Sequence, residues 1–287
     1  MSMDGSSYRD KNREPRSVEI PQPVQPVLNE YIALVHEALP GLLAGMYLHG
    51  SLALGAFNPG LSDIDFITIT SRRCTATDID TLRAIHHTLV QCYPQAQLEG
   101  SYLQWHDVGR FEATMLPHPH IHDGIFHNSG YHDINAITWW ILKHHGIAVS
   151  GPPPNQFDIQ VDWEDLTAKM HRNLNTYWAS FTTIPRRMAW LLTDYGIQWA
   201  VLGVLRQFYT FREQAITSKE GAGMYGLVHT PGQWHQLIHE AINIRAGTRA
   251  SSYRFRIARA IPARAFLQLI IAACNTDTAG RETLTRS

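Results

Sequence analysis

The sequence lacks the means for a disulfide framework. Its 287 residues hold three cysteines, Cys74, Cys92 and Cys274, an odd and widely spaced set with no C-x-x-C pair, which fits a reducing compartment better. Excess charge is also missing. With 24 Lys plus Arg against 25 Asp plus Glu, the chain has no overall basic field of the kind that gathers nucleic acid. No apolar run reaches the roughly 18 residues of a membrane span, and the opening MSMDGSSYRDKNREPRSVEIPQPVQP is polar, charged and proline-rich, without an apolar secretion segment. These absences predict a cytoplasmic chain with neither a membrane nor a nucleic-acid partner, and a monomer is favoured. What is present is apolar content of 44%, enough for one large core or two ordinary ones.

Along the chain, residues 1–26 show no periodicity and are expected to form a disordered arm. From Val27 apolar residues recur at helical spacing (Val27, Tyr31, Leu34, Val35, Ala38) until a Pro-Gly pair at 40 and 41 stops the helix. LLAGMYLHG reads as a strand, SDIDFITIT as a second strand rich in β-branched residues, and QAQLEGSYLQW as a third. Between the last two, TATDIDTLRAIHHTLVQCY has Thr75 or Thr77 as N-cap and an amphipathic helical pattern. Beyond about residue 130 long helical patterns dominate, among them INAITWWILKHHG, WEDLTAKMHRNLNTYWASF and RRMAWLLTDYGIQWAVLGVLRQFYTFREQ, with SGPPPNQ as a connector. An α/β part of mixed sheet and helices over 27–130, an all-helical part over 131–276 and a flexible tail over 277–287 are therefore expected.

The chemistry concentrates between residues 47 and 70, in YLHGSLALGAFNPGLSDIDFITIT. On a strand, residues two apart face one side about 6.6 Å from each other, so Asp63 and Asp65 point together. Two such acids repel unless a cation lies between them, and hard cations such as Mg²⁺ choose carboxylate oxygens. A solvated strand edge is the competing reading of a lone D-x-D. Gly50 and Ser51 follow directly on an apolar strand, where a residue without Cβ lets backbone amides approach phosphates and a hydroxyl adds a donor. Glu99, in the third strand, joins the acids if the three strands are neighbours and is otherwise an ordinary exposed strand residue.

The stretch LHGSLALGAFNPGLSDIDFITIT resembles the G-S-x(n)-S-D-x-D signature of the nucleotidyltransferase superfamily of polymerase β type. Within it, the chain is similar to the bacterial aminoglycoside (3'')-adenylyltransferases, which act on streptomycin and spectinomycin. DGIF, INAITWWILKHHGIAVSGPPPNQFD and VLGVLRQFYTFREQAITSKEGAG extend the similarity over roughly residues 28–240. The resemblance implies a nucleotidyltransferase domain followed by an all-helical domain, with ATP as co-substrate and Mg²⁺ as cofactor. It makes Asp63 and Asp65 metal ligands, and Glu99 the third carboxylate and general base. Gly50 and Ser51 would hold the triphosphate, and Arg206 and Lys219, thirteen apart, would reach its phosphates from the helical half. The implied reaction is transfer of AMP to a hydroxyl of a small-molecule, aminoglycoside-type acceptor, conferring resistance. The same transfer to another small molecule, a nucleotide or a protein, or a nucleotide-binding module without turnover, are the alternatives.

For the acceptor, the helical half offers Trp178, Trp190, Asp194 and Trp199, although tryptophans at helical spacing also serve as core. Two further clusters stand apart. His118, His120 and His122, with Asp123, His127 and His132, present donors for a transition metal, against which stand the interrupting prolines, the missing cysteine partner and the frequency of merely solvated histidine loops. Arg254, Arg256, Arg259 and Arg264 are read as a solvated helix face in preference to a site for RNA or another acidic partner.

Overall fold

A computed structural model describes residues 19–248 and 251–284, with side chains to residue 276. The first half runs α1 (Gln25–Ala38), β1 (Leu43–Leu48), α2 (Gly50–Ala53), β2 (Ile64–Thr70), α3 (Ala76–Cys92), β3 (Leu98–Leu103), β4 (His118–His122), β5 (Ile125–Gly130), α4 (Ala136–His145) and β6 (Ile147–Ser150). Then come α5 (Trp163–Asn173), a π turn over Leu174–Trp178, α6 (Ala179–Thr183), α7 (Pro185–Trp190), α8 (Asp194–Glu213), α9 (Lys219–His229), α10 (His235–Arg245) and α11 (Arg256–Leu284). The architecture is a mixed six-stranded sheet with helices, followed by a helical region. Strand order is β5-β4-β3-β2-β1-β6, with β2 and β3 parallel and the other pairs antiparallel.

Alternation along the central strands decides what each face of the sheet carries. Ile64, Phe66, Leu98 and Tyr102 pack with Val27, Leu28 and Tyr31 of α1 and with Leu82 and Leu89 of α3. Ile67, Ile69 and Leu103 turn to the opposite face, against Trp139 and Leu142 of α4. Asp65 shares the side of Ile67 and Ile69, and Glu99 the side of Leu103, because side chains alternate with period two. Both acids therefore lie towards α4 and the helical half. The α3 helix starts where its sequence says it should, with a capping box in which Thr75 accepts from the Asp78 amide and Asp78 accepts from the Thr75 amide.

The helical half builds its own core around α8, where Ile197, Val201, Leu205 and Phe208 are buried. A helix apolar on nearly every side must be surrounded, and α9, α10, α11 and the π turn pack around this one. The α11 segment Arg256–Thr276 is long and apolar enough for a membrane span by length and composition, contrary to the expectation of no such run. Its Ala263, Phe266, Leu267, Ile270 and Cys274 nevertheless lie on one helical stripe buried in this core.

Several boundaries differ from those read in the sequence. Residues 1–18 of the expected arm lie outside the described residues, but Val24 is fully buried and α1 begins at Gln25. Residues 277–284 of the expected tail continue α11. The sheet does not stop at residue 130, since β6 pairs with the outer side of β1. The histidine segment is no loop: it is β4, turned into β5 through Asp123 and Gly124, both in the left-handed region, the geometry of a two-residue hairpin for which Asp-Gly is a favoured pair.

One glycine fixes the spacing of the strands that carry the acids. A Cβ on Gly100 would overlap the carbonyl oxygen of Phe66 on the neighbouring parallel strand. Gly100→Ala is therefore expected to cost about 1–3 kcal/mol of stability through overpacking, measured by chemical denaturation at unchanged secondary-structure content; an unchanged midpoint would show that the strands have slack here.

Candidate active site

Where the sheet meets the helical half lies a cleft of about 700 Å³. Asp63, Asp65 and Glu99 line it from the sheet, and Arg206 and Lys219 line it from α8 and α9. Register explains how residues 34 apart meet, since Asp65 and Glu99 are direct partners across the parallel β2–β3 pair. Asp63 stands one residue before β2.

The turn after β1 grips Asp65 from three sides. The His49 amide donates to the Asp65 carbonyl at 3.1 Å, and the Ser51 amide donates to the Asp65 carboxylate. Gly50 has φ +57, and a Cβ there would overlap that carboxylate; only glycine meets both demands. The Ser51 hydroxyl is buried and has no hydrogen-bond partner among the described residues, which suits a donor aimed at a ligand oxygen.

Glu99 is held by its two oxygens separately. Oε1 accepts the Asp123 amide at 2.9 Å, and Oε2 lies 3.2 Å from His122 Nδ1 and 3.9 Å from His132 Nε2. Lys219, the first residue of α9, places its ammonium 4.6 Å from the centre of the Trp199 ring. Among the described residues, neither Arg206 nor Lys219 has a carboxylate within ion-pair distance, although both feel the field of Asp65.

Two charged residues of the cleft, Arg245 and Asp133, escaped the sequence reading. Arg245, at the end of α10, donates to the Leu61 carbonyl at 2.9 Å and to the Ser62 hydroxyl at 2.7 Å, while Asn58 donates to the Arg245 carbonyl at 2.7 Å. The helical half thereby holds the loop that leads into Asp63. Asp133, in the left-handed region just before α4, adds a fourth carboxylate near Asp65 and lies 3.9 Å from the buried His49. His132 beside it is mostly covered, and burial lowers its pKa. No local pattern announces Arg245 or Asp133, which arrive by tertiary packing.

The expected acceptor contacts fare differently. Trp178 is buried in the helical core, where its ring packs against Gly203, and it reaches only a small recess of about 110 Å³ beyond Arg206 and Lys219. Trp190 is exposed outside the cleft, and Asp194 is paired with Arg259 at 2.6 Å. Neither lines the cleft, because the sequence of a helix says nothing of which neighbour each of its faces meets. Of the four, Trp199 does line the cleft. Arg259, read as part of a solvated face, is buried between Asp194 and Glu240.

The donor set fits a hard divalent cation. Burial, then Asp133, Asp63 and Glu99, push the Asp65 pKa up to about 8 in the ion-free protein, while burial, then Glu99, also raise Asp63. On the other wall, burial and the neighbouring Arg245 and Arg206 lower Lys219 to about 8. Carboxylates this short of positive charge are what a divalent ion relieves.

Comparisons place these features among known proteins. Residues 175–265 match the profile described as the C-terminal domain of aminoglycoside adenylyltransferase. A crystal structure of spectinomycin adenyltransferase AAD(9) from Enterococcus faecialis with ATP and spectinomycin is similar over 85% of this chain and 99% of that one, with a TM-score of 0.60 and 13% identity. At that identity the likeness concerns the fold, a mixed sheet followed by a helical region. Among curated proteins no sequence matches.

The Asp65 shift has a sign that can be checked. A carboxyl whose folded pKa lies above its unfolded value favours the folded state below the unfolded pKa, and this contribution is lost as pH rises through the folded one. In chelator, stability should therefore fall between the ordinary aspartate value of 3.8 and about 8. Asp65→Asn should flatten that decline and raise the melting temperature at the alkaline end, as followed by thermal melts across pH. An equal slope in the variant would assign the decline to other groups.

Proposed function

We propose, for a chain that carries the C-terminal domain of the aminoglycoside adenylyltransferases over residues 175–265, that it transfers AMP from ATP to a hydroxyl of a streptomycin- or spectinomycin-like antibiotic. One observation carries this reading: three carboxylates on β2, β3 and the residue before β2 face two cations on α8 and α9 across one cleft, beside a glycine turn whose hydroxyl has no partner among the described residues. The fold neighbour was crystallised with ATP and spectinomycin, which supports both co-substrates. Such a reaction needs cytoplasmic ATP, in keeping with the compartment expected from the cysteines.

In this reading Gly50 and Ser51 seat the triphosphate, with backbone amides and the Ser51 hydroxyl as donors. Asp63, Asp65 and Glu99 would hold Mg²⁺, which when bound neutralises phosphate charge and polarises the phosphoryl oxygens. Glu99 accepts the proton of the acceptor hydroxyl as that oxygen attacks the α-phosphorus in line; the bond from the α-phosphorus to the bridging oxygen breaks and pyrophosphate departs. Arg206 and Lys219 meet the charge that grows on the leaving group. Lys219 cannot donate equally at all pH values, because its pKa of about 8 lies near neutrality until a phosphate raises it.

The acceptor side supports a cationic polyol over a macromolecule. Trp199 supplies an apolar wall, and Asp133 and Glu220 add carboxylates to the same cleft, whereas a long basic groove would suit a nucleic acid or acidic protein. ATP-dependent pyrophosphate release across a panel of aminoglycosides, spectinomycin and streptomycin included, tests the assignment; release with no member would move the acceptor to another class.

Two substitutions separate chemistry from binding. Glu99→Gln should keep near-normal affinity for ATP with Mg²⁺ and lose two to four orders of magnitude in kcat, about the worth of a positioned general base. Full activity in that variant would put the base elsewhere. Lys219→Ala should raise the KM for ATP more than that for the acceptor, since its ammonium is assigned to phosphate oxygens; isothermal titration showing unchanged affinity would remove it from the nucleotide site.

A further inference from the structure

The histidine segment forms a ladder that the transfer reaction does not use. His118, His120 and His122 alternate down one face of β4, His127 stands opposite His120 on β5, and His132 follows in the loop before α4. Their rings lie against one another: His120 with His127 at 4.7 Å between centres, His120 with His132 at 5.6 Å, and His122 with His132 at 4.2 Å. The inner end is sealed, with His118 buried against the Ser101 hydroxyl. The outer end opens into the cleft at Glu99.

That outer end has the geometry of a chelate. One ligand atom each from Glu99, His122 and His132 lies within 4.8 Å of the other two. Tetrahedral donors about 2.1 Å from a metal stand roughly 3.4 Å apart. The separations from Glu99 Oε2, 3.2 Å to His122 Nδ1 and 3.9 Å to His132 Nε2, bracket that value, so small side-chain rotations suffice. The outer supports are in place as well. Asp123 Oδ2 lies 3.3 Å from His122 Nε2, and the Asp123 amide holds Glu99 Oε1 at 2.9 Å, the carboxylate support that fixes the orientation of a ligating imidazole. Two imidazoles and one carboxylate select Zn²⁺, Co²⁺ or Ni²⁺ over Mg²⁺, and the fourth position faces the open cleft.

We propose that Glu99, His122 and His132 form a transition-metal site, distinct from the aspartate pair, through which Zn²⁺ removes Glu99 from the transfer reaction. The inhibitory part rests on the function proposed above; the site itself does not. Two nitrogen lone pairs and one carboxylate oxygen coordinate the ion, so Glu99 Oε2 is taken by Zn²⁺ from Mg²⁺ and from the acceptor proton, while Oε1 stays on the Asp123 amide.

Cobalt provides the test, because its visible absorption reports tetrahedral coordination whether or not the protein has turnover. Titration of the full chain with Co²⁺ should produce an intense tetrahedral band at one equivalent, which Zn²⁺ bleaches. His122→Ala, at a side chain 44% exposed and so of little consequence for folding, should abolish the band. Asp123→Asn, which tolerates the left-handed turn, should weaken binding about 10- to 100-fold. The double variant Asp63→Asn with Asp65→Asn should keep the band. With an active acceptor, Zn²⁺ should inhibit pyrophosphate release in excess Mg²⁺ over the range that fills the cobalt site. No tetrahedral band, a band untouched by His122→Ala, or a band lost with the aspartates would overturn the site. A band without Zn²⁺ inhibition would overturn the inhibitory role alone, and an inactive protein with an intact band would count against the proposed function and not the site.

Discussion

Like-charge repulsion between carboxylates organises this molecule. Asp63, Asp65, Glu99 and Asp133 are brought to one end of one sheet face, a placement that folding alone would avoid. The cost is offset in two ways: backbone amides of Ser51 and Asp123 are turned onto Asp65 and Glu99, and Arg206, Lys219 and Arg245 face them from a separate helical layer. The sheet is thus not complete as a charge system until α8, α9 and α10 stand over it. This gives the helical half a role beyond covering apolar surface.

The acids were legible in the sequence because two simple patterns converge on them. Period-two alternation puts Asp65 and Glu99 on the same face as Ile67 and Leu103, and a glycine immediately after an apolar strand marks a turn that must approach a neighbour. Arg206 and Lys219 were reached through family resemblance; their local sequence reads as ordinary surface charge. Arg245 and Asp133 were invisible to both routes, since their positions depend on where α10 and the start of α4 dock, not on neighbours in sequence.

The errors have a common physical origin. Helical periodicity identifies which residues share a stripe, and Trp178, Trp190 and Asp194 all sit on stripes; whether a stripe meets a core, a cleft or solvent is decided by the other helices. The histidine segment failed differently. Prolines and polar rings argued for a loop, while Asp123-Gly124, the stronger local signal, dictated a hairpin that extended the sheet by two strands. The stacked imidazoles of His120 and His127 then serve as strand side chains, packing as flat aromatic rings would.

Lys219 occupies the first position of α9, preceded by Ser218, whose hydroxyl caps the Gly221 amide. A cation at a helix N-terminus opposes the helix dipole, by some 0.3–1 kcal/mol in exposed cases, and here the end is also partly shielded from water. The ammonium and the helix end therefore repel each other, and any anion that settles between them relieves both at once. Order in α9 is accordingly tied to what occupies the cleft: an anion held by the lysine would also tighten the helix that presents it.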